Sequence, residues 1–479
     1  MIPSYRGILT ALCAFVTTVW AVHPVVVQGK DFIDSVTKQR FQIIGVDYQP
    51  GGSSAFNDSS DPLSDKASCL RDAALMQRLG VNTIRVYNLA PDANHDDCAS
   101  IFNAAGIYMI LDVNSPLPNG SLDRTAPWES YNPTYLERVF RVVEAFKNYP
   151  NTLAFFAGNE VINEDSVEQV PAYIRAVQRD LKDYIAKHVS RSIPVGYSAA
   201  DVRDILMDTA NYLSCQIQNE TSSRSDFFGL NSYSWCGDSS YTTSGYDVLT
   251  ESFANASLPV FFSEYGCNKV QPRIFTEVQA LYGQDMTQAL SGGLVYEWTQ
   301  EANGYGLIQL NDNNTVTLRV DYGNLQKQYS QLDLSQIESA NATQTSVTPV
   351  KCSASLITTS GFLNTFDIPS QLPNITTLID NGPSNANTGK LDSVSSTPVS
   401  QTVYDSNGET IQGITLNVLA DDKTNSPGDN TSGNSSSSTS TATPSASSSS
   451  KKSAANTQAS STLLTAFGAI LALAGSIVW

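Results

Sequence analysis

Two glutamates close runs of apolar residues: Glu160 ends Leu153-Ala-Phe-Phe-Ala-Gly-Asn159-Glu160, and Glu264 ends Pro259-Val-Phe-Phe-Ser-Glu264. Short apolar runs rich in Phe and Val and bounded by Gly or Pro read as strands buried on both faces. A carboxylate at the C-terminal end of a buried parallel strand stands where barrel enzymes keep their reactive groups. Either glutamate alone could be an ordinary polar strand end. Together they supply what glycosidic bond cleavage needs, one acid/base and one nucleophile or base. A retaining pair would hold its carboxyl groups about 5–5.5 Å apart. Asn159 fits the same chemistry, because an amide beside the acid can hold a sugar hydroxyl as positive charge develops on the ring. Tyr87, Tyr233 and Tyr296 end other apolar runs. Their faces can pack on sugar rings and their hydroxyls can bond to carboxylates. Each, taken singly, also reads as a half-buried packing residue.

The elements that must position these groups follow from periodicity. Residues 41–46, 82–87, 107–113, 153–158, 194–198, 227–231, 259–263 and 293–298 are strand-like, with amphipathic stretches between them. Asn132 is a good N-cap and Pro133 suits the first helical position, after which Leu136, Val139, Phe140, Val143 and Phe146 share one face. Residues 69–79 repeat the pattern and Gly80 closes it. Residues 171–188 and 272–290 read as two further helices. Strands alternating with helices in this number predict a (β/α)8 TIM barrel. Glu160 then follows strand four and Glu264 strand seven, on one face. Cys236 and Cys267 follow the adjacent strands six and seven, close enough to bridge.

Bulk properties bound the partners. The chain has 479 residues, with 46 acidic against 28 basic, for a net charge of −18. That excess disfavours nucleic acid and anionic membrane surfaces, which need clustered Lys and Arg, and is compatible with a neutral polysaccharide. Arg6, an apolar stretch over 8–20 and a small residue at Ala21 read as a signal peptide, 1–21. Residues 463–479 are apolar and uncharged, and small residues lie upstream near Ser453. This is the layout of a GPI-attachment signal over 461–479, with a C-terminal membrane helix as the competing reading. Six cysteines remain after the signal, an even number consistent with disulfides in an exported chain. Asn-x-Ser/Thr sites from Asn57 to Asn434 agree with export. No clustered Cys or His spacing indicates a metal, and no cofactor motif is present. The barrel is assigned to 22–330. A short β or irregular extension over 331–424 has strand-like segments at 345–357, 401–404 and 411–418, and Cys352 in it could bridge back to Cys215. Residues 425–460 lack the apolar content to fold and read as a disordered Ser/Thr-rich stalk.

Several segments carry a resemblance: Gly158-Asn159-Glu160, Ser263-Glu264-Tyr-Gly-Cys267, Asn231-Ser-Tyr233-Ser-Trp-Cys236, Leu294-Val-Tyr296-Glu-Trp, Ile44-Gly-Val-Asp-Tyr-Gln-Pro-Gly-Gly and Thr83-Ile-Arg-Val-Tyr87. Together they resemble the fungal β-1,3-glucanosyltransferases of glycoside hydrolase family 72, the Gas/Gel/Phr proteins, across the whole expected barrel. The resemblance implies Glu160 as acid/base and Glu264 as nucleophile, with Asn159, Tyr87, Tyr233 and Tyr296 touching glucan or orienting Glu264. It places Asp201 and Arg203 among the substrate contacts. It implies the bridges Cys69–Cys98, Cys215–Cys352 and Cys236–Cys267. Longer members carry a Cys-rich module after the barrel; this chain has only Cys352 there and resembles the short subgroup. The expected protein is a GPI-anchored monomer at the outer face of the plasma membrane or in the wall. It would pass β-1,3-glucan from a donor to an acceptor chain without a cofactor. A β-1,3-glucan endo-hydrolase and a non-catalytic glucan-binding wall protein are the alternatives.

Overall fold

The computed structural model describes residues 22–164, 169–339, 347–420 and 422–428. Eight strands, β1 Ile43–Asp47, β2 Thr83–Val86, β3 Tyr108–Asp112, β4 Thr152–Asn159, β5 Val195–Ala200, β6 Phe227–Ser232, β7 Val260–Tyr265 and β8 Gly292–Val295, close into a barrel in chain order. Every pairing is parallel, including β8 back onto β1. Around them lie α1 Lys66–Leu79, α2 Asp96–Ala104, α3 Pro133–Phe146, α4 Val170–His188, α5 Arg203–Ser214, α6 Tyr246–Phe253, α7 Glu277–Leu281 and α8 Val320–Tyr329. This is the TIM barrel expected from the alternation.

Local chemistry explains the element ends. Asp65 caps α1 by accepting the Ser68 amide, and Gly80 ends it at φ 92°, a left-handed conformation that glycine adopts without strain. Asn132 caps α3 by accepting the Tyr135 amide, with Pro133 at the first turn. Gly292 opens β8 at φ 87°, and a Cβ there would lie 2.1 Å from the Ile43 carbonyl oxygen, so only glycine lets β8 meet β1. The helix expected over 272–290 is broken: only Glu277–Leu281 and a single 3-10 turn, Met286–Gln288, form. Residues before Glu277 are instead drawn into a loop by Arg273, whose guanidinium pairs with Asp321 and bonds the Gly266 and Tyr296 carbonyls.

The barrel has two apolar compartments. One lies between strands and helices and includes Phe155, Ala157 and Phe262; the other fills the interior with Ile43, Ile110, Phe156, Phe227, Phe261 and Leu294. A hairpin of Val25–Gln28 and Asp31–Asp34 precedes β1 and inserts Phe32 against Phe227 and Phe261, with ring centroids 5.9 and 5.8 Å away. That closes the end of the barrel where the strands begin.

The C-terminal extension straps the outside of the barrel. Cys352 bridges Cys215, the amides of Thr358 and Thr359 donate to Asp208, and Gln371 donates to Asp180. The segment expected to be strand-like at 345–357 forms only a 3-10 turn at Ala354–Leu356 and an isolated bridge from Lys351 to Gln216; 340–346 lie outside the described residues. A helix the sequence reading did not anticipate, Pro373–Asn381, packs on α3 and α4. Val403–Tyr404 and Thr410–Ile411 join Ile308–Leu310 and Val316–Leu318 in a small sheet. Residues 425–428 belong to the folded unit, not to the stalk expected from 425 onward. Asn425 is buried and donates to the Val81 carbonyl, because it fills the space beside Gly106 at the closed end of the barrel. The segments expected to be the signal peptide, the rest of the stalk and the GPI-attachment tail lie outside the described residues.

Candidate active site

Alternation along β2 aims Arg85 and Tyr87 into the barrel. Arg85 is fully buried, stacked over Phe156 at 4.4 Å and Tyr87 at 4.3 Å, and so marks the boundary between the apolar interior and the mouth. Its guanidinium donates to both oxygens of Asp112 at 3.3 and 3.0 Å, to Asn159 Oδ1 at 3.0 Å and to Glu264 Oε1 at 3.3 Å. A buried cation needs such charge-assisted partners to offset its lost hydration.

Both glutamates reach the mouth where the strands depart from regular pairing. In β7, Phe261 points inward and Phe262 outward, while Ser263 bonds inward to Ser198 and Asn231. Strict alternation would send Glu264 toward the helices. The register instead shifts between Phe262 and Glu264 against β6, and both Ser263 and Glu264 face the interior. A second shift, between Phe156 and Asn159 against β5, aims Asn159 inward. Glu160 follows with φ 50°, a left-handed backbone that costs a non-glycine residue about 1–3 kcal/mol. Its amide is fixed on the Ser198 carbonyl at 2.8 Å.

The two carboxylates have different settings. Glu264 is buried; Tyr87 and Arg85 donate to Oε1, at 2.9 and 3.3 Å, and Tyr233 donates to Oε2 at 2.6 Å. Burial pushes Glu264 up to about 7; Arg85 and the two phenols hold it down, and the charge of Glu160 raises it. Glu160 is half-buried and accepts one side-chain bond, from Asn231 Nδ2 at 2.8 Å. Asn231 Nδ2 also donates to Asn159 Oδ1 at 3.1 Å, and Ser198 and Ser263 donate to Asn231 Oδ1. One chain of polar contacts therefore runs Glu264–Arg85–Asn159–Asn231–Glu160. Asp47, fully buried at the end of β1, is pushed well above the usual carboxylate range by burial and then by the charge of Glu264. Glu297 is pushed to about 7 by burial and accepts from Asn303 at 2.8 Å.

Tyr87, Tyr233 and Tyr296 are half-buried at the mouth. Their rings form a cluster with Tyr305: Tyr87–Tyr296 at 6.4 Å, Tyr233–Tyr296 at 6.3 Å, Tyr296–Tyr305 at 5.2 Å and Tyr233–Tyr305 at 5.6 Å. Cys236–Cys267 staples the loops after β6 and β7, and Cys69–Cys98 joins α1 to α2. Asp201 and Arg203 are brought together in an ion pair above β5, steadied by Ser232; neither bonds to the glutamates. The sequence reading missed Arg85, Asp112, Asn231 and Tyr305. An arginine inside an apolar run, two residues before Tyr87, was a usable signal for the first. Tyr305 had none, because it lies in a loop whose path the sequence does not specify.

A closed parallel barrel with two glutamates at its C-terminal mouth is the architecture of enzymes that act on glycosidic bonds. Residues 14–333 match the family model described as glucanosyltransferase, and the chain belongs to that family, glycoside hydrolase family 72. It is 66% identical over 433 residues to the 1,3-beta-glucanosyltransferase gel2 of Aspergillus fumigatus, covering 90% of this chain and 91% of the relative. The probable 1,3-beta-glucanosyltransferase GAS3 of Saccharomyces cerevisiae is 46% identical over 444 residues, covering 88% and 83%. Among solved structures, Saccharomyces cerevisiae Gas2p in complex with laminaripentaose superposes with a TM-score of 0.65 at 37% identity, covering 73% of this chain and 77% of that one.

Proposed function

We propose that this protein is a retaining 1,3-β-glucanosyltransferase in which Glu264 is the nucleophile and Glu160 the acid/base. The observation that carries the reading is the unequal treatment of the two glutamates. Glu264 is buried, with three donors fixing both its oxygens, as suits a carboxylate that must attack along one line. Glu160 keeps one donor and partial exposure, as suits a group that must give up and take back a proton.

A β-1,3-glucan donor binds across the mouth with a glucosyl unit over Glu264. Glu264 bonds to the anomeric carbon as the bond to the leaving glucan oxygen breaks, and Glu160 protonates that oxygen. The leaving portion departs and an acceptor glucan takes its place. Glu160 then removes the proton of the acceptor hydroxyl, whose oxygen displaces Glu264 and restores both carboxyl groups. Asn159 and Asn231 sit where they can hold Glu160 and a sugar hydroxyl. Tyr87, Tyr233, Tyr296 and Tyr305 present faces and hydroxyls to the donor, and Asp201 with Arg203 would form a polar rim farther out. Our reading of the whole chain is a secreted monomer, GPI-anchored at the outer face of the plasma membrane or resident in the cell wall.

Incubation with a laminarin oligosaccharide tests this. Products longer than the starting donor should appear, with a yield that rises with acceptor concentration. If only shorter products form at every concentration, the protein is a hydrolase.

A further inference from the structure

Among the described residues, Trp235 and Trp298 are 6% and 0% exposed, whereas Trp128 is 51% exposed. Trp128 sits on the turn Pro127–Ser130, in the loop that leaves the end of β3 on the mouth face and leads to α3. The loop is firmly held. Asp123 accepts the Thr125 amide and hydroxyl at 2.8 and 2.7 Å, and the Asp123 amide donates to Ser130 Oγ at 2.9 Å. Tyr131, next in sequence, donates to Asp180 on α4. Single exposed aliphatic residues are ordinary, but an indole held out by an ordered turn is a large, stiff apolar face with little entropy left to lose on binding.

Its place on the rim says what could cover it. Arg124, four residues earlier in the same loop, donates to the backbone carbonyl of Glu160 at 3.3 Å. The tyrosine cluster, by contrast, surrounds Glu264. In a retaining mechanism the acid/base stands beside the departing oxygen, so the leaving group, and later the acceptor, lies on its side of the site.

We infer that Trp128 is an acceptor-side platform, on which a ring of the incoming glucan stacks while Glu160 activates the hydroxyl. This rests on the transferase reading above. A bound acceptor occupies the space from which water would attack the glucosyl-enzyme, so the platform would favour transfer over hydrolysis.

The test compares the full secreted chain with Trp128→Ala and Trp128→Phe, using a laminarin oligosaccharide donor and varied reduced laminari-oligosaccharide acceptor. Trp128→Ala should raise the acceptor KM roughly tenfold, the scale of losing one aromatic anchor, with a smaller change in kcat at saturating acceptor. The ratio of transfer to hydrolysis should fall, and Trp128→Phe should recover part of both. An unchanged acceptor KM, or a fall confined to kcat, overturns the inference. A lower melting temperature with unchanged acceptor KM would overturn it too, and would assign the indole a packing role instead. If the parent chain makes no longer products, the transferase reading fails and takes this inference with it. If the parent transfers and the Trp128 variants behave like it, the inference alone fails.

Discussion

Below Phe156 the barrel interior is a packed set of rings, with Phe32, Phe227 and Phe261 in mutual contact. Above Phe156, Arg85 begins a polar layer in which a continuous run of hydrogen bonds joins Glu264, Arg85, Asn159, Asn231 and Glu160. The same eight strands build both ends, so the difference lies in the residues that alternation and register send inward. The apolar end gains from burial and makes no demand on geometry beyond filling space. The polar end holds buried charges at a cost and is retained for what those charges do. Stability and chemistry are thus separated along one axis, and substitutions at the two ends should fail in different ways.

The largest effect should come from the polar end. Glu264→Gln should lower both transfer and hydrolysis by on the order of 10⁴-fold or more, as expected when the nucleophile is lost. Stability should move the other way. The Glu264 pKa is raised from its usual value to about 7, so its favourable contribution is complete below about pH 4.5 and is lost as pH rises through 7. Thermal melting at pH 8 should therefore find the variant at least as stable as the parent. Residual activity above about 1% would break the proposed division of roles.

Phe261→Ala, at the opposite end, should cost about 3–5 kcal/mol of stability in urea unfolding while the folded fraction keeps its turnover. A loss of turnover in fully folded protein would show that the apolar layer also sets site geometry.

The disulfides sharpen the same contrast. Replacing Cys236 and Cys267 by Ser, or Cys69 and Cys98 by Ser, removes bridges that close loops of similar length, at 31 and 29 residues of separation. Each should cost about 2–4 kcal/mol. Only the first pair should also lower turnover per folded molecule, because it ties the loop that carries Tyr233 to the loop that follows Glu264. Equal turnover in the two variants would remove the Cys236–Cys267 bridge from the account of the site.

The smallest effect is a shift in pH dependence. Tyr233→Phe removes a donor that favours the charged form of Glu264, so the carboxyl should ionise at higher pH. The acid limb of kcat/KM should move upward by roughly one pH unit, the scale of a hydrogen bond to a charged group. A limb that stayed in place or moved down would assign it to another group.

Much of the architecture was legible because burial imposes period. The eight apolar runs fall on the eight barrel strands, and Asn132-Pro133 and Gly80 mark helix ends where they were expected. The 272–290 helix failed because its apolar spacing is helical but Arg273 finds better partners in a loop, which a one-dimensional pattern does not weigh. The Pro373–Asn381 helix was missed because only Ile375 and Ile379 of its nine residues are buried, too few to stand out as a periodic stripe.

By itself the sequence determined the class of fold, the strand ends that carry Glu160 and Glu264, and the tyrosines beside them, because apolar runs and their polar terminations are local properties. Tertiary structure decided how those residues act together. Two register shifts, which change which face a side chain takes without changing composition, turn Glu264 and Asn159 inward. Arg85 and Asn231 become the links between the two glutamates only because strands distant in sequence close into a ring. Their partners lie 179 residues away for Arg85 and Glu264, and 71 for Asn231 and Glu160. The pattern of one strand carries no record of such partners.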